Sequence, residues 1–110
     1  MQLSDFLSPV NETIFNSIRE SSPKTLVNVA DIYVKHMPDL EGAQIAIIGV
    51  KEDRVHEHQA GAGLSPDEIR RHFYKLVQPK YDVRIADLGN IEPGNTVNDT
   101  LFALNSCLQY

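Results

Sequence analysis

The chain has 110 residues, 42% of them hydrophobic, and carries 15 acidic against 10 basic side chains for a net charge of −5; that is enough for one domain with a core and too apolar for a disordered tail. No Lys/Arg cluster exceeds a pair, so the electrostatic footprint of nucleic-acid binding is missing. No stretch is long and apolar enough for a membrane span, and no basic segment followed by an apolar one opens the chain, so the expected location is the cytoplasm.

In chain order, Pro9 to Arg19 places Val10, Ile14, Phe15 and Ile18 at helical spacing behind Ser8-Pro9, a capping serine and a first-turn proline, which predicts a short helix. After the break at Glu20-Ser21-Ser22-Pro23, the residues Leu26, Val29, Tyr33, Val34 and Met37 repeat that spacing and predict a second helix that ends before Pro38. Residues 1–43 therefore read as a helical amino-terminal extension. Gln44 to Val50 (QIAIIGV) is a short β-branched run closed by charge, as expected of a strand buried on both faces in a parallel sheet. In doubly wound folds the loop after such a strand holds the ligand, which directs attention to residues 51–64.

Val55 to Gly63 (VHEHQAGAG) has no periodicity and ends in small residues, the pattern of an exposed loop. Ser65-Pro66-Asp67-Glu68 predicts a helix start: a capping serine, proline at the first position, acids in the first turn and Glu68 placed for a capping box. Ile69, Phe73, Leu76 and Val77 make its expected buried stripe, with Arg70 and Arg71 outside it and Pro79 as the stop. Val83 to Leu88 predicts a second strand closed by Gly89-Asn90, parallel to the first because a helical crossover joins them. Thr96 and Asp99 suit a final helix start, with Val97, Leu101, Leu104 and Leu108 as its apolar face. Two parallel strands leave both sheet edges unpaired, so residues 44–110 are expected to be the first βαβα unit of a larger, here incomplete, α/β domain.

The polar constellations are few. His56-Glu57-His58 could present two imidazoles to zinc, manganese or iron, but two ligands do not make a site and a solvated loop is the simpler reading. Gly61-Ala62-Gly63 lacks the third glycine of a dinucleotide fingerprint, whose place holds Pro66. Glu52, Asp53 and Arg54 follow the first strand, and Asp87, Asn90 and Glu92 lie near the end of the second, so carboxylates from both could face one crevice; the structural alternative pairs Arg54 with Asp53 or Asp87. His72 reads as a stripe-edge residue, and Cys107, the only cysteine, as a small buried hydrophobe.

Taken together, IAIIGVKEDR, SPDEIRRHFYKL, DVRIADLGNI and DTLFAL resemble the start of the arginase, agmatinase and formimidoylglutamase family of ureohydrolases. Pro66-x-x-Ile69-Arg70 and Asp87-Leu88-Gly89-Asn90 carry the resemblance, and the amino-terminal extension is similar to formimidoylglutamase-like members. The resemblance implies a three-layer αβα doubly wound parallel sheet. It also implies a two-manganese centre that generates hydroxide to cleave guanidino or formimino carbon–nitrogen bonds. The family's ligand motifs, a histidine after paired glycines, an Asp-x-His segment and paired Asp-x-Asp carboxylates, do not occur in this chain, so no residue here is assigned a catalytic or metal-ligating role. Asp53 to Gly63 corresponds to a loop near the active-site mouth, where His56, His58 and Gln59 are the side chains expected to shape substrate access. This portion is expected to be inert alone, with the remainder of a longer chain as its partner; the rival expectation is a non-catalytic binding or assembly module that self-associates through its open sheet edges.

Overall fold

A computed structural model describes residues 2–19, 22–54 and 64–109. Two 3-10 turns, Leu3–Asp5 and Glu12–Phe15, precede the one-turn helix α1 (Leu26–Val29) and the strand β1 (Asp31–Ile32). Then come β2 (Ile45–Val50), α2 (Ser65–Phe73), β3 (Ile85–Ile91) and α3 (Val97–Leu108). The three strands form one parallel sheet in the order β1-β3-β2. The protein is thus α/β, and β2 and β3 are parallel as the crossover rule requires.

The sheet differs from the expected two-stranded one in membership and in centre. The stretch predicted as a helix from Leu26 to Met37 makes one turn and then extends, because the backbone of residues 31–33 pairs with β3: Asp31 aligns with Ala86, and the Tyr33 amide donates to Asp87 O at 2.9 Å. Tertiary pairing overrides a spacing that suits either period over so few residues. β2, read as the strand buried on both faces, is an edge strand with Ile45 46% exposed. β3 is central, buried at every position from Ile85 to Ile91, and extends through Gly89-Asn90 instead of stopping there.

Apolar clusters lie on both sheet faces. Phe15, Ile14, Ile18, Leu26 and Tyr74 pack with Ile85 on one side, joined by Ile47 and Phe73. Leu7, Leu88, Ile91 and Cys107 pack on the other, joined by Ile48, Val50 and Leu104. Val10, Ile14, Phe15 and Ile18 are buried as their spacing predicts, but the predicted helix is replaced by a 3-10 turn that carries Ile14 and Phe15 and is capped by Asn11, whose Oδ1 accepts from the Thr13 amide at 3.1 Å. Ser8, the expected cap, instead bridges antiparallel to Asn90.

α2 ends at Phe73, short of the predicted Pro79 stop, and its buried face matches the predicted stripe only at Phe73, which packs on the core: Arg70 and the capping Tyr74 are enclosed, while Ile69, and Leu76 and Val77 beyond the helix, are exposed. The helix begins at Ser65 without a side-chain cap, and Glu68 pairs along the surface with Arg71 at 2.6 Å instead of closing a capping box. In α3 the Thr96–Asp99 capping box forms as its residues suggest, whereas Thr100 and Cys107 take the buried positions and Leu101 and Leu108 stay exposed.

Candidate functional site

The most enclosed polar group among the described residues joins α2 to β3. Arg70 and Tyr74 are one helical turn apart and so project from the same face of α2 onto the sheet. Arg70 Nε and Nη2 grip the two Asp87 carboxylate oxygens at 2.8 and 2.9 Å, Nη2 also donates to Gly89 O at 2.9 Å, and Nη1 donates to Asn90 Oδ1 at 2.6 Å. Tyr74 donates its hydroxyl to Asp87 Oδ2 at 2.6 Å, and the Gly89 amide donates to Asp87 Oδ1 at 3.1 Å. Asp87 is 0% exposed and Arg70 3%, so four donors saturate a carboxylate that has no water to turn to. Burial, reinforced by the Asp87 charge, pushes the Tyr74 phenol far above its usual range and keeps it a neutral donor.

A bulge makes this geometry possible. Two steps along β2, Ile47 to Gly49, run against three along β3, Asp87 to Asn90, and Gly89 takes φ +85° at the extra position. In a regular strand residues three apart face opposite sides; the extra residue turns Asp87 and Asn90 to the same guanidinium. Gly49 leaves room for the arrangement, since a Cβ there would stand 2.1 Å from Asn90 Oδ1 and 3.0 Å from Arg70 Nη1.

A second polar cluster sits at the carboxyl ends of β2 and β3, where an α/β sheet places its ligands. Arg54 makes a two-pronged ion pair with Glu52, through Nε to Oε2 at 2.8 Å and through Nη2 to Oε1, and ties down the turn before α3 by donating to Gly94 O at 2.8 Å and Asn95 O at 3.2 Å. Thr100, buried at the start of α3, donates to Glu52 Oε1 at 2.8 Å and accepts from the Gly94 amide at 2.8 Å. The Arg54 hydrogen bonds hold the Glu52 carboxyl down to about 2, while Glu52 above all, with smaller effects from the Asp53 and Asp99 charges, keeps the guanidinium charged. Beside them Lys51 and Glu92 form an exposed pair at 3.2 Å. Because the folded-state value of Glu52 lies below its ordinary 4.5, its contribution to stability is complete above that pH and is lost as the pH falls toward about 2. Glu52→Gln should flatten that acid limb in a pH series of urea midpoints, and an unchanged limb would show that the pair contributes nothing there.

The crevice expected from both strands is therefore divided. Glu52, Arg54 and Glu92 stand at its mouth, but Asp87 and Asn90 are committed to Arg70 beneath α2, and Arg54 pairs with Glu52 as its principal partner. His56, His58 and Gln59 lie outside the described residues. His72 is exposed, 3.7 Å from Glu68. An apolar groove of about 260 Å³ runs between the second half of β2 and the first turns of α2, lined by Ile47, Gly49, Val50, Pro66 and Ile69. Larger clefts, of about 410 Å³ beside Asp31, Asp82 and Arg84 and about 560 Å³ beside Glu12, Arg19 and Lys35, lie away from this mouth.

Sequence reasoning missed Arg70, although a signal was present: Asp87 and Asn90 interrupt an otherwise apolar strand, and a buried carboxylate demands a cation. Among the described residues no group of three or more His, Cys, Asp or Glu side chains could hold a metal ion, and no helix is long and apolar enough to cross a membrane. Comparison with protein-family models, with curated proteins and with solved structures found no match to this chain.

Proposed function

We propose that this chain forms the amino-terminal side of an arginase-like, formimidoylglutamase-like hydrolase that acts in the cytoplasm on carbon–nitrogen bonds of guanidino or formimino compounds. In this reading its residues build and brace one wall of the cleft and carry out no chemistry alone. One observation carries the proposal: the two stretches on which the resemblance rests, Pro66-x-x-Ile69-Arg70 and Asp87-Leu88-Gly89-Asn90, are wired to one another through Arg70. Such wiring gives a physical reason for these residue types to occur together, since a buried arginine on the crossover helix fixes both the bulge and the tilt of the helix over the strand.

Asp87 within β3 and Glu52 just after β2, both enclosed carboxylates, do not fit a two-manganese centre. Asp87 is saturated by Arg70, Tyr74 and Gly89, and Glu52 by Arg54 and Thr100. In this reading the two manganese ions are held by polypeptide beyond these two carboxylates. The proposal is tested by assaying the 110-residue chain, and the complete reading frame that contains it, on formimidoylglutamate, arginine and agmatine with manganese. Turnover of one substrate by the complete frame and none by the shorter chain is expected; silence of the complete frame on all three would overturn the family reading, and turnover by the shorter chain would overturn its inertness.

A second reading, a non-catalytic assembly module, is favoured by one feature: β2 ends the sheet with Ile45 exposed, and Leu101, Phe102 and Leu108 are exposed on α3. It predicts a self-associated particle in light scattering together with no turnover by the complete frame.

A further inference from the structure

We draw no further inference here: the strongest candidate, the cleft of about 560 Å³ along the edge strand β1 between Glu12, Arg19, Asp31 and Lys35, is lined by charges of both signs beside a strand of two residues, and nothing in the structure shows what covers it.

Discussion

Arg70→Met should lower stability by roughly 3–5 kcal/mol, because it leaves the Asp87 carboxylate buried without its counter-charge. For a domain whose total stability is of order 5–15 kcal/mol, this is a large fraction of the whole, and the urea midpoint should fall in proportion. The double variant Arg70→Met/Asp87→Leu should recover part of the loss, since removing both charges also removes their desolvation cost, while the Tyr74 hydroxyl and the Gly89 amide still lose their acceptor. A double variant as unstable as the single would mean that shape, rather than charge, is what Arg70 contributes. Arg70→Lys should rescue only in part: a lysine brings the charge but cannot grip two carboxylate oxygens, Gly89 O and Asn90 Oδ1 with one planar fork. Tyr74 adds a pH signature to the same network. Its phenol is raised above the ordinary 10.0 by burial, so its contribution is complete below that pH and is lost as the unfolded chain, but not the folded one, ionises above it. Tyr74→Phe should remove that alkaline component from the stability profile, and a profile identical to the native one would refute the assignment.

Gly89→Ala is expected to cost roughly 2–4 kcal/mol, the sum of a left-handed backbone imposed on an L-residue and overpacking against a fixed neighbour. Both causes are local and visible: φ is +85°, and the new methyl would stand 2.1 Å from Ser8 O and 3.3 Å from the Tyr33 ring. Thermal unfolding measures the loss, and a melting temperature within a degree or two of native would mean that the bulge relaxes without strain. Gly49→Ala provides a comparison without the backbone term: its Cβ would meet Asn90 Oδ1 at 2.1 Å and Pro66 Cβ at 2.8 Å, so any loss there reports crowding alone.

The amino-acid sequence by itself determined the features set by neighbours a few residues apart. The cap at Thr96–Asp99, the parallel relation of β2 and β3 and the inward-facing Phe15, Ile18 and Cys107 follow from turn chemistry, crossover handedness and spacing. Only the tertiary structure decided which strand is central, that residues 31–32 join the sheet, and which side of α2 is enclosed. Hydrophobic spacing assigns Ile69, Leu76 and Val77 to the interior and Arg70 to solvent, whereas the fold does the reverse. The reason is that a charged side chain is tolerated in a core only by virtue of its partners. Those partners, Asp87, Gly89 and Asn90, lie 17 to 20 residues away and reach one face of the sheet only through a bulge that forms when β2, β3 and α2 come together.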